Sequence, residues 1–115
     1  MCSSDLGDLS GNYVNETSKS IVRGIFGDYD KLRSVKFSAV TSIGNSAFYR
    51  SGLQSADFPE ATYIGQSAFN SCKSLKSINL PKLTNMDLAP FVDCSSLQSI
   101  DLPMATIITN QAFYR

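Results

Sequence analysis

The sequence predicts an α/β solenoid, mainly β: a right-handed superhelix of coils with one parallel sheet and short helical turns. Three observations carry this. Leucines recur at Leu32, Leu53, Leu75 and Leu97, spaced 21, 22 and 22 residues apart. A fixed period in this range marks a solenoid, because one such unit cannot bury its apolar face alone. Each leucine opens a short alternation of apolar and polar residues, as a half-buried strand does. A second set of apolar columns, ending in a phenylalanine, follows at constant spacing within each unit.

Each element can be justified by counting from the unit's leucine as position zero. Position three holds Val35, Ala56, Ile78 and Ile100, and position five holds Phe37, Phe58, Leu80 and Leu102. The position between them is Lys36, Asp57, Asn79 and Asp101. Strands are therefore expected at 33–37, 54–58, 76–80 and 98–102. Pro59, Pro81 and Pro103 follow directly, and proline lacks the N–H that would continue a ladder. Position eleven is a second apolar column: Ile43, Ile64, Met86 and Ile108. Position twelve is Gly44, Gly65, Asp87 and Thr109, residues tolerated at a helix N-cap, so a short helical turn is expected to begin there. That turn would carry Ala47, Ala68, Pro90 and Ala112, then Phe48, Phe69, Phe91 and Phe113. Pro90 fits a first helical turn, whose N–H groups have no helical partners.

The repeat can be followed backward as well. The run from Ile21 through Phe26 to Leu32 aligns with Ile64, Phe69 and Leu75, which makes 21–31 a half unit. The chain divides into a scar-like segment at 1–6 resembling translated adapter DNA, an irregular polar segment at 7–20, and repeats at 21–115 with units starting at 32, 53, 75 and 97. The last unit stops after Phe113, Tyr114 and Arg115. A solenoid left uncapped exposes its core, so the chain is expected to be part of a longer array.

The motif Leu-x-x-Ile-x-Leu-Pro followed by Ile-Gly-x-x-Ala-Phe-x-x-Cys-x-x-Leu resembles the BspA-like class of leucine-rich repeats. Leu75, Ile78, Leu80 and Pro81 match its first half, and Ile64, Gly65, Ala68, Phe69 and Cys72 its second. The first full unit departs with Ser38 in place of proline and an ending one residue shorter. The third departs with Asp87 and Pro90. The resemblance covers 21–115. It implies a protein-binding module of a bacterial secreted or cell-surface, adhesin-like protein, with a host or neighbouring-cell surface protein as partner; the missing catalytic chemistry makes the expected module non-enzymatic. The alternative is a structural stalk that holds another domain away from a surface.

Composition narrows the chemistry. Apolar residues make up 43% and charged residues 17%, with zero net charge. Nothing electrostatic recommends nucleic acid or an anionic membrane as partner, and no apolar run reaches membrane-span length. No charged-then-apolar leader opens the chain. Histidine is absent, which removes the commonest general base and metal ligand, and no phosphate loop or nucleophile elbow is present. No catalytic residue, metal or cofactor is assigned. Cys72 and Cys94 share position nineteen with Ser51. They are read as small buried thiols, a disulfide between neighbouring coils being the alternative. Thr41, Thr62, Thr84 and Thr106 share position nine and are read as a hydrogen-bond ladder that fixes register. Ser34, Ser55, Ser77 and Ser99 share position two and read equally as ladder or as binding surface. Asn15, Glu16 and Thr17 match a glycosylation sequon, a pattern frequent by chance. The candidate binding face is the outward side of the strands: Arg33, Ser34, Lys36, Ser55, Asp57, Lys76, Ser77, Asn79, Ser99 and Asp101.

Overall fold

A computed structural model describes residues 11–98 and 100–106. Among these residues, eight short strands alternate between two parallel sheets. One sheet contains β1 (Asn12–Asn15), β3 (Ser34–Phe37), β5 (Ser55–Asp57) and β7 (Ser77–Asn79), in that spatial order. The other contains β2 (Ser20–Ile21), β4 (Ser42–Ile43), β6 (Tyr63–Ile64) and β8 (Asn85–Met86). Each coil supplies one strand to each sheet, and three turns of the solenoid separate β1 from β7. Register follows the repeat: Val35 lies opposite Ala56, and Ala56 opposite Ile78.

The solenoid is thus as expected, while several of its parts are not. The predicted parallel sheet is present as β3, β5 and β7, and a second parallel sheet runs beside it. The strands of this second sheet are two residues long, too short to show alternation in sequence. The polar segment at 7–20 was expected to be irregular, yet over its described part it supplies β1, paired to β3 with Tyr13 opposite Val35 and Asn15 opposite Phe37. Of the strand expected at 98–102, the described residues lie outside any strand. The scar-like segment at 1–6 and the columns at Ile108, Thr109, Ala112 and Phe113 lie outside the described residues.

The expected helical turns are also replaced. Where a helix would send every N–H to the carbonyl four residues back, the N–H groups here alternate in direction. Those of Ser46, Phe48 and Arg50 donate to the carbonyls of Gln66, Ala68 and Asn70 in the next coil, at 2.9, 2.8 and 2.9 Å. Those of Ala47, Tyr49 and Ser51 donate within their own coil to Gly44, Ser46 and Phe48, at 3.2, 3.2 and 3.1 Å. The alternation requires left-handed residues at positions fourteen and eighteen: Ser46 and Arg50 (φ 55° and 57°), Ser67 and Ser71 (57° and 63°), Ala89 and Asp93 (54° and 63°). This places Pro90 differently from a helix N-terminus. Position fifteen N–H groups close only a local turn, so proline there loses no bond between coils. Its carbonyl still accepts from Phe69 N–H at 2.9 Å.

The core runs the length of the solenoid as stacked columns. Leu32, Leu53 and Leu75 are fully buried, as are Phe48, Phe58 and Phe69. Two aromatic columns interlock. Phe26, Phe48, Phe69 and Phe91 stack face to face with centroids 5.1, 5.1 and 5.6 Å apart. Phe37 and Phe58 stack at 5.5 Å, and edge contacts of 6.0–6.4 Å join them to Phe48 and Phe69. At these centroid distances near-parallel rings are offset, and offset and T-shaped pairs are favoured by the ring quadrupole. Ala47 and Ala68, fully buried, let the turn backbone approach these rings.

Candidate interaction surface

Alternation along β1, β3, β5 and β7 sends one set of side chains into the core and the other outward. The outward columns are Asn12, Ser34, Ser55 and Ser77 at position two, and Val14, Lys36, Asp57 and Asn79 at position four. Apart from the exposed Val14, the face is polar and locally knit. Ser34 Oγ donates to Asn12 Oδ1 at 2.6 Å, and Asn79 Nδ2 donates to Asp57 Oδ1 at 2.7 Å. Lys36 stands directly opposite Asp57 in register but forms no ion pair with it. The ion pairs among the described residues are Arg50 with Asp28, 3.4 Å, and Lys82 with Glu60, 2.9 Å. Both join neighbouring coils away from this face and are solvent-exposed, so each contributes at most about 1 kcal/mol.

Of the residues singled out from sequence, Ser34, Lys36, Ser55, Asp57, Ser77 and Asn79 are brought together on this sheet. Lys76 sits at its edge, immediately before β7, and Asp101 is exposed one coil further on. Ser99 lies outside the described residues. Arg33 is engaged elsewhere: its Nη1 donates to the carbonyls of Asp30 (2.6 Å), Leu32 (3.1 Å) and Gly52 (3.4 Å). It straps two successive coils together where the loop enters the strand. Asn12 and Val14 also belong to the face and were missed, because Ser10 stands where the other units have leucine.

The remaining columns have structural partners. Each threonine of position nine donates Oγ1 to the position-nine carbonyl of the preceding coil. The bonds are Thr41 to Lys19 (3.3 Å), Thr62 to Thr41 (3.2 Å), Thr84 to Thr62 (3.2 Å) and Thr106 to Thr84 (2.9 Å). The same four carbonyls accept the threonine backbone N–H. The column is a register ladder. Cys72 and Cys94 are free thiols, with Sγ donating to the carbonyls of Phe48 (3.0 Å) and Phe69 (3.1 Å) in the preceding coil. Ser51, buried at the same position, contacts Cys72 Sγ at 3.5 Å. Burial raises the Cys72 thiol above its usual range and pushes Cys94 up to about 12, which leaves both thiols protonated and poor nucleophiles at neutral pH. Asn15 ends β1 by taking the N–H groups of Thr17 and Ser18 on Oδ1, at 3.1 and 2.8 Å.

Among the described residues no three His, Cys, Asp or Glu side chains gather as metal ligands would, and no helix is long and apolar enough to cross a membrane. What the surface offers is polar contact on a rigid frame.

Comparison with protein families gives one match: the BspA type leucine rich repeat region, in six copies over residues 6–115. The match extends through the segment carrying β1. No curated protein and no solved structure matches the chain significantly.

Proposed function

Since this chain belongs to the BspA-type leucine-rich repeat family, we propose that it is a non-enzymatic protein-binding module of an adhesin-like protein, acting at the cell surface or after secretion. The partner in this reading is a protein of the host or of a neighbouring cell, and the docking surface is the outward side of the β1–β3–β5–β7 sheet. Repeat modules of this kind commonly mediate protein–protein contacts. The observation that carries the reading is the state of the cations on that face. Lys36 and Lys76 are exposed and form no ion pair with any described residue. Their charges therefore do little for stability and are available to a partner. A regular polar face on a stiff solenoid suits recognition by complementarity of shape and charge.

The test displays the chain on cells and measures adhesion to a panel of host matrix proteins. Lys36→Ser and Lys76→Ser together should leave folding intact, weaken adhesion several-fold, and flatten its dependence on salt. Arg33 is kept, because removing it would release the strap between coils. A double variant that binds as the parent does would remove the strand face from consideration. A parent that binds nothing across the panel would turn the reading to a stalk.

A further inference from the structure

The unit that starts at Leu32 is one residue shorter than the two that follow it, and the deletion falls at a particular place. Position twenty holds Asp30, Gly52, Lys73 and Ser95 in successive coils, and position twenty-one is missing after Gly52. The short loop is drawn against the preceding coil. Gly52 N–H donates to the Tyr29 carbonyl at 3.1 Å, and Arg33 holds the Asp30 and Gly52 carbonyls from a single Nη1. A Cβ at residue 52 would overlap the Asp30 carbonyl oxygen, so the position admits only glycine. Toward the following coil the short loop borders a recess of about 460 Å³, lined among others by Asp30, Tyr49, Arg50, Gly52, Lys73 and Ser74.

The recess is bipolar. Asp30 stands on one wall and Lys73 on the other, both exposed. They are two coils apart, roughly 10 Å at strand spacing, so neither neutralises the other. Neither forms an ion pair with any described residue, whereas Arg50 is already turned to Asp28 at 3.4 Å.

We propose that this recess is a specificity subsite that takes an extended segment of the partner protein bearing one acidic and one basic side chain, the acid toward Lys73 and the base toward Asp30. The proposal rests on the protein-binding reading above. Charge complementarity selects the occupant. A sugar acid or a nucleic-acid phosphate would satisfy Lys73 and leave Asp30 facing an anion. A zwitterionic lipid head group carries its two charges only two carbons apart, too close to meet both walls. An extended peptide places alternate side chains on one side at roughly 6.5–7 Å, and the length of Glu and Lys side chains spans the rest.

The test uses the whole 115-residue chain, labelled with ¹⁵N and titrated with the capped peptide Gly-Glu-Gly-Lys-Gly. Two further peptides carry Gln in place of Glu or of Lys. The amide signals of Gly52, Lys73 and Ser74 should move saturably, with apparent affinity about threefold weaker for each Gln peptide, as for an exposed charge pair. Lys73→Gln and Asp30→Asn are surface changes that should keep the dispersed spectrum of the fold. Lys73→Gln should abolish the difference between the Glu and Gln peptides, and Asp30→Asn the difference between Lys and Gln. Inserting one serine after Gly52, which restores the 22-residue unit, should remove the response. Equal response to all three peptides, or no saturable movement at the recess, would overturn the proposal. Movement confined to Lys36, Asp57 and Asn79 would overturn it too while leaving the strand-face reading intact, and the adhesion assay decides that reading separately.

Discussion

Truncating the central phenylalanine of the long aromatic column should be among the most damaging single changes available to this chain. Phe69 is fully buried. Its ring stacks on Phe48 at 5.1 Å and on Phe91 at 5.6 Å, and meets the edge of Phe58 at 6.1 Å. Phe69→Ala removes the ring while its neighbours stay pinned by the bonds between coils: Phe48 N–H to Ala68, Phe69 N–H to Pro90, and Ser71 N–H to Val92. The cavity therefore cannot collapse well. Phenylalanine-to-alanine changes in cores cost about 3–5 kcal/mol, and three broken aromatic contacts, worth about 0.5–1.5 kcal/mol each, place this one toward the upper end. At about 4 °C per kcal/mol for a chain of this size, the midpoint should fall by roughly 12–20 °C. The assay is urea and thermal unfolding followed by far-UV circular dichroism, with Leu88→Ala as the control. Leu88 is 52% exposed, and its loss should stay below about 1 kcal/mol. Equal losses for the two variants, or a Phe69→Ala loss below about 1.5 kcal/mol, would refute the stacked-core account.

Two further predictions follow from backbone and thiol environments. Gly52→Ala should cost about 1–3 kcal/mol by overlap with the Asp30 carbonyl, because that contact is backbone on both sides. Gly24→Ala should cost about 1–2 kcal/mol and less than Gly52→Ala, since its φ of +66° is unfavourable but a Cβ there meets nothing within 4 Å; urea midpoints in the reverse order would contradict both assignments. Stability should also fall on the alkaline side. The Cys94 thiol is pushed to about 12 in the fold, first by burial and then by the nearby Cys72, which is raised by burial as well. The unfolded chain loses these protons near the ordinary thiol value of about 8.5, so the folded state binds more protons above that pH. The contribution is fully present below about pH 8.5 and is lost as pH rises toward 12. Urea melts at pH 7 and pH 10 should show a drop that Cys94→Ser reduces; an identical drop in the variant would remove the thiol from the explanation.

Much of the fold could be read from the sequence because it is a column property. Leucine at position zero, apolar residues at three and five, and the alanine–phenylalanine pair at fifteen and sixteen each face the same neighbours in every coil. Packing therefore writes the same residue type at the same spacing. The candidate face was legible for the same reason, as the complement of the buried columns. The first half of the N-terminal coil was not. Ser10 and Asn15 replace apolar members there, and of that half only Tyr13 keeps its place, 22 residues before Val35. A strand so poor in apolar residues forms because β3 offers it a ladder, and a neighbour's edge leaves no local trace.

The sequence by itself determined the period, most of the buried columns, the strands β3, β5 and β7 to within a residue, and the absence of histidine chemistry, but not β1 or the fully buried column of Val40, Ala61 and Leu83. Tertiary structure alone decided the course of the backbone between those columns. Ser46, Ser67 and Ala89 carry no glycine signal, yet each adopts a left-handed φ of 54–57°. That conformation turns alternate N–H groups along the solenoid axis to carbonyls of the next coil, an arrangement worth more than a local helix only once that coil is present. Arg33 shows the same division in one side chain. Its type and spacing mark it as an exposed cation beside a strand, but its role as a strap depends on the Asp30 and Gly52 carbonyls, which converge only once successive coils are packed. The one-residue deletion was visible in the spacing of the leucines, and the recess beside it was not, because a recess takes shape only between coils that are packed together.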